Sequence, residues 1–148
     1  MNAGKSRAQQ FFDQIVSRPD PVKFLEDLVT NKQAEDSYLE FKGVGKIQDK
    51  DTKKYWSKAL SGFANTEGGV VVWGIRAEKA PSVTDASNKI DTATDLDLAD
   101  HPDTFAQKLK DVMLQATIDP VQGVQIRHLD KTPGGQGFVV CLIPEGGP

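Results

Sequence analysis

Glu35 and Glu40 stand five positions apart, and Lys42 follows two residues later, in the stretch Glu35-Asp-Ser-Tyr-Leu-Glu40-Phe-Lys42. Converging carboxylates offer the hard oxygen donors that Mg²⁺ and Mn²⁺ take. A cation held there activates water and neutralises charge on a phosphate, and a neighbouring lysine adds to that neutralisation. Strand alternation over Tyr38–Lys42 sends Leu39 and Phe41 to one face and Tyr38, Glu40 and Lys42 to the other. On an ideal strand a spacing of five puts Glu35 opposite Glu40, so the two converge only if Glu35 lies on a bend before the strand. The plainer alternative is a surface ion pair between Glu40 and a lysine, worth ~0–1 kcal/mol.

Several elements must position these groups. A helix is expected over 52–65, with Trp56, Ala59, Leu60 and Phe63 as its buried stripe and lysines on its other faces. Gly68-Gly69 supplies a helix stop, and 69–75 is apolar almost throughout, as in a central strand covered on both faces. Strand, helix, strand in that order implies a crossover with the two strands parallel. A polar connection over 77–102 is too long for an ordinary loop. It precedes a helix over 103–116 and strands over 121–129 and 137–143. The Asn65-Thr-Glu-Gly-Gly69 turn lies at a helix C-terminus, the wrong end for a phosphate cradle, and reads as scaffold.

Ahead of these lie two amphipathic stretches, one with Phe11, Phe12, Ile15 and Val16, the other with Phe24, Leu25, Leu28 and Val29. Pro19-Asp20-Pro21 separates them, with Asp20 placed to cap the second helix and Pro21 at its first position. The expected class is α/β: a βαβαββ mixed sheet with packed helices, preceded by two short helices. The expected organisation is a helical appendage over 1–32, the main domain over 33–145, and the start of a linker at 146–148, with further domains beyond it.

The 148 residues carry a net charge of −3, which argues mildly against bulk nucleic-acid binding. The charge is unevenly spread. From Lys42 to Lys58 there are six lysines against two aspartates; from Ala80 to Asp103 there are six aspartates against one lysine. A local basic patch is therefore available on an acidic chain, and the aspartates read as a solvated loop. A single cysteine, Cys141, reads as a small core residue and fits a reducing cytoplasm, and nothing in the sequence suggests a membrane partner. Gly43-Val-Gly45-Lys46 follows a strand and is the better site for a backbone contact to phosphate.

Glu35, Glu40-Phe-Lys42, Phe63-Ala-Asn-Thr66, Gly68-Gly69 and Gly74-Ile75, in this order and spacing, resemble the Schlafen-type AlbA-like domain family over about residues 33–145. The resemblance implies an Alba-like fold, work on DNA or RNA, and a place at the front of a larger bacterial regulatory or defence protein. Some relatives of this kind are endoribonucleases, and their site resembles two glutamates five apart plus an aspartate just after the Gly-Ile strand. Here Glu35 and Glu40 match; Arg76 and Ala77 fill the third position, with Glu78 one residue further on. Many relatives carry an ATP-binding label for which this segment offers no phosphate cradle. The hairpin bearing Arg127 and Lys131 resembles an arm that reaches a nucleic-acid groove.

The first expectation is therefore a nucleic-acid-binding module that grips phosphate through Lys42, Lys46, Lys53, Lys54 and Arg76, with Arg127 and Lys131 on the arm. The second is a Mg²⁺- or Mn²⁺-dependent endoribonuclease using Glu35, Glu40 and Glu78, with Glu35 and Glu40 as metal ligands. The third is a protein-interaction or homo-oligomerisation module, suggested by the net acidity and the leading helices.

Overall fold

The structure is a computed structural model that describes residues 4–81, 89–115 and 122–146. The elements run α1 (Arg7–Val16), α2 (Pro21–Thr30), β1 (Leu39–Lys42), α3 (Asp49–Ala64), β2 (Gly69–Trp73), β3 (Ile75–Pro81), β4 (Lys89–Leu96), α4 (Pro102–Gln115), β5 (Gln125–Asp130) and β6 (Gly137–Ile143). β1, β2, β6 and β5 form one mixed sheet in that order. β1 and β2 are parallel, as the intervening helix requires, and the other pairs are antiparallel. The α/β class and the mixed sheet agree with the sequence.

The two central strands are buried at every position. Their side chains alternate between two cores. Val71, Trp73, Val139, Cys141 and Ile143 face α3 and α4, meeting Trp56, Leu60, Phe63, Phe105 and Leu109. Val70, Val72, Val140 and Leu142 face the other way, with Leu39 and Phe41, onto Phe12, Ile15, Leu25 and Leu28 of the leading helices. Helices α1 and α2 thus contribute a full layer: without them one face of the sheet would lie open to water. Ser6 caps α1 through the Gln9 N–H, and Asp20 caps α2 through the Lys23 N–H with Pro21 in the first turn. Trp56 and Trp73 are fully buried, with their rings 6.1 Å apart.

The sequence did not reveal β3 and β4. The polar connection is an antiparallel hairpin, paired from Ile75↔Leu96 to Pro81↔Lys89, with a bulge between Arg76 and Ala77. Gly74, at φ 120°, swings the chain from β2 into β3 and out of the main sheet. The hairpin returns to the segment before β1: Glu35 N–H donates to Asp91 O at 2.8 Å, and Ala93 N–H to Gln33 O at 2.8 Å. Few apolar residues mark it, because the hairpin buries only one flank; Asp85 and the rest of its tip lie outside the described residues.

The glycine turn is scaffold. Gly68 takes φ 90° and donates its N–H to Phe63 O at 3.1 Å, closing α3. A Cβ at Gly69 would stand 2.2 Å from the Phe63 ring, so this glycine lets the helix lie flat against β2. Among the described residues no helix is long and apolar enough to cross a membrane.

Candidate functional site

β1 is an edge strand, and its open side faces the hairpin and the first turns of α3. Reciprocal backbone hydrogen bonds between Asp36 and Leu39, 3.1 and 3.0 Å long, fold the chain back just before β1. Glu35 therefore lies on a bend, and its Oε2 accepts the Phe41 N–H at 2.9 Å. Tyr38 falls in this turn and packs edge-on against Phe11 of α1, so it leaves the face that Glu40 and Lys42 share. That face lies beside α3: Glu40 is in register with Val71 and Lys42 with Trp73.

A cleft of about 340 Å³ opens here, and Glu35, Glu40, Lys42, Tyr55, Arg76 and Asp91 supply its chemistry. The Tyr55 hydroxyl donates to Glu40 Oε2 in a short hydrogen bond. The Tyr55 ring packs edge-on against Trp73 at 5.3 Å, and Lys42 Nζ sits 4.9 Å from its centroid, within cation–π range. Tyr55 thus fixes both charged residues of β1. Burial, reinforced by Glu40, pushes the Tyr55 hydroxyl well above its usual range, so it stays protonated as a donor.

Glu35 is half-buried, and its pKa is pushed up from 4.5 to about 7. Desolvation is the largest cause; the Phe41 N–H opposes it, and the charges of Asp91 and Glu40 reinforce it. Arg76 sits at the far wall, 2.6 Å from Asp95 and 3.9 Å from Glu78. Its ion pair with Asp95 raises its pKa further, though at this exposure such a pair contributes little to stability.

The sequence-derived residues fare unequally. Glu35, Glu40, Lys42 and Arg76 come together. Glu78 does not join them: it is exposed, in register with Thr92 on the face opposite Lys79 and Asp91. The third carboxylate in the cleft is Asp91 of β4, which sequence reading left in a solvated acidic run. Only the pairing of Asp91 with the Glu35 backbone distinguishes it from its neighbours. Tyr55 was also missed, because the apolar stripe begins at the next residue; a polar-tipped aromatic beside a buried stripe was the available signal.

Lys46, Lys53 and Lys54 are exposed on the loop and outer faces of α3. Arg127 and Lys131 lie at the other sheet edge, two strands beyond β2, and Lys131 is held by Glu26 of α2 at 2.7 Å. The Gly43–Gly45 loop is no open phosphate cradle. Asp97 Oδ1 accepts the Gly45 N–H at 3.1 Å, and the carboxylate fills the space above Gly43, where a Cβ would meet Oδ2 at 2.2 Å.

Among the described residues, no three His, Cys, Asp or Glu side chains stand close enough to form a ready-made metal cage.

This is an α/β domain with a carboxylate-lined cleft at the edge of a mixed sheet. The chain matches the family profile described as Schlafen, AlbA_2 over residues 35–136, and it belongs to that family. The match begins at Glu35 and includes α3, both glycine motifs, the hairpin and Asp91. Membership ties the domain to nucleic-acid-related function. A comparison with curated proteins finds no match.

Proposed function

We propose that the cleft binds a phosphodiester of RNA and cleaves it with the help of a divalent cation. The observation that carries this reading is Asp91, which brings a third carboxylate beside Glu35 and Glu40. With Lys42 and Arg76 the lining sums to −1, so a bare phosphate has no reason to enter a recess built around three acids. A proton on Glu35, or a cation among the carboxylates, removes that obstacle. Two of the carboxylates Glu35, Glu40 and Asp91, with water and phosphate oxygens completing the shell, would hold Mg²⁺ or Mn²⁺, which when bound would lower the pKa of water and offset phosphate charge. Lys42, steadied over the Tyr55 ring, faces the charge that builds on the phosphate. Glu35, with a pKa near neutrality, can take up or release a proton during the reaction. Tyr55 keeps Glu40 aimed into the cleft.

The test is incubation of structured and single-stranded RNA with the protein in Mg²⁺ or Mn²⁺, with products resolved on gels. Cleavage is expected, and Asp91→Asn should remove it while RNA affinity persists. Undiminished cleavage by Asp91→Asn would overturn the assignment. RNA that is bound but never cut would favour the second reading, a binding module without catalysis. The exposed lysines of the loop and α3 support that reading, together with Lys42 and Arg76. Its affinity should fall steeply with salt.

A further inference from the structure

A second recess of about 340 Å³ lies on the other side of the Glu40–Tyr55 pair, between the Asp36–Leu39 turn and the C-terminal half of α3. Glu40 and Tyr55 line both spaces, so the two are neighbouring rooms sharing one wall. Their chemistry differs. The cleft is walled by charges; the recess is lined by Ala59, Gly62 and Phe63, with Lys58 and the hydroxyls of Ser37, which accepts from Arg7 at 2.9 Å, and Thr66, which donates to Phe63 O at 3.0 Å.

Gly62 sharpens the contrast. It lies inside α3, where glycine is a poorer helix former than alanine. Its φ is not positive, and a Cβ there would meet nothing within 4 Å. Packing within the protein therefore gives no reason for a glycine at this position, and its effect is to keep the recess open. Phe63, pinned against Gly69, supplies a rigid apolar floor.

Building on the cleavage reading, we propose that this recess receives the base and ribose of the nucleotide next to the scissile phosphate. Its volume matches the lower bound for small-molecule sites, about 300 Å³, which suits one nucleoside and not a base pair. The apolar floor and the Tyr55 edge suit a base face, the hydroxyls suit ribose or base edges, and Lys58 meets the next phosphate. The substrate must therefore present an unpaired or extruded nucleotide at the cut.

Adenosine monophosphate, titrated while backbone amide resonances are followed by NMR, tests this without requiring cleavage. Saturable shifts are expected at Ser37, Gly62, Phe63 and Thr66, whereas inorganic phosphate, supplied with Mg²⁺ to offset the acids, should move only the cleft around Lys42 and Gly43. Gly62→Trp fills the recess and replaces a poor helix former, so α3 should persist by circular dichroism while the recess shifts vanish. Ser57→Trp, on an exposed face of the same helix, controls for added bulk and should behave as wild type. In cleavage assays, an abasic residue beside the cut should slow wild type about tenfold, the scale of one lost base stack, and Gly62→Trp should be slow on both substrates. Adenosine monophosphate that moves only the phosphate-sensitive resonances overturns the subsite, as does Gly62→Trp cutting intact RNA like wild type; in the latter case the cleavage reading survives. If RNA is never cut but the nucleotide fills the recess, the cleavage reading falls and the recess stands as a nucleotide-binding site beside the cleft.

Discussion

The sheet has two open edges, and both carry cations. At the β5 edge Arg127 and His128 are exposed, His128 is 3.1 Å from Asp130, and Lys131 reaches Glu26. These contacts lie under solvent, where screening leaves little energy to use. At the β1 edge the hairpin and Tyr55 close around the charges. Lys42 rides on an aromatic ring, Glu40 is held by a hydroxyl, and Glu35 titrates near 7 instead of 4.5. The lesson is that desolvation, not charge count, separates a site from a charged surface: displaced water is the largest cause of the rise at Glu35, and it strengthens what Asp91 and Glu40 add.

The largest expected effect breaks the comparison if it fails. Glu40→Gln removes the carboxylate charge from the β1 edge while an amide oxygen can still accept the Tyr55 hydroxyl. Cleavage of RNA should fall by about 100-fold or more, the scale of losing a group that acts on the reacting atoms. The double change Arg127→Ala with Lys131→Ala at the other edge should leave the rate within about twofold, as expected for screened surface charges. Equal losses at both edges would mean that the edges do not differ in function.

Binding provides a finer discrimination. Lys42→Ala should weaken RNA binding at every salt concentration and reduce the slope of log K against log salt by about 1, the signature of one lost phosphate contact. Arg127→Ala should leave that slope unchanged if β5 lies off the path of the strand. Fluorescence anisotropy across about 50–200 mM salt reads both. An equal fall in slope for Arg127→Ala would extend the binding face around to β5.

The same physical distinction explains what the sequence made legible. Trp56, Leu60, Phe63 and the run from Val70 to Trp73 announce their elements because burial leaves a periodic apolar record. Gly68 and Gly69 announce a turn because only glycine fits beside Phe63 and at φ 90°. Glu40 and Lys42 stood out because a short strand with two apolar positions on one side must turn its charges to the other. Asp91 left no such record: among the six aspartates from Asp85 to Asp103 its type is uninformative, and its place is set by a backbone bond to Glu35, 56 positions earlier. The β3–β4 hairpin stayed hidden for a related reason, since a two-stranded ribbon packed on one flank needs few apolar residues. The face that α1 and α2 cover could not be read from the sequence, because an amphipathic helix shows that it has a partner but not which one.

Glu35 gives the smallest effect and the most specific one. Its pKa is raised on folding, so between about 4.5 and 7 the folded protein holds this proton more tightly than the unfolded chain does. Its contribution to stability is thus most favourable at low pH and declines as pH rises through 7, the reverse of a salt-bridged carboxylate. Glu35→Gln keeps an oxygen for the Phe41 N–H and removes the cost of ionising beside Asp91 and Glu40. The variant should therefore melt higher than wild type at pH 8, by no more than a few degrees because Glu35 is only half-buried, and the advantage should shrink towards pH 5. Mg²⁺ supplies what the proton supplied, so it should raise the wild-type melting temperature more at pH 8 than at pH 6, and should help Glu35→Gln less. Thermal unfolding followed by circular dichroism at pH 5, 6 and 8, with and without Mg²⁺, measures these differences. A gap between wild type and variant that ignores pH would show that folding does not hinder the ionisation of Glu35, and the contrast between the edges would then rest on shape alone.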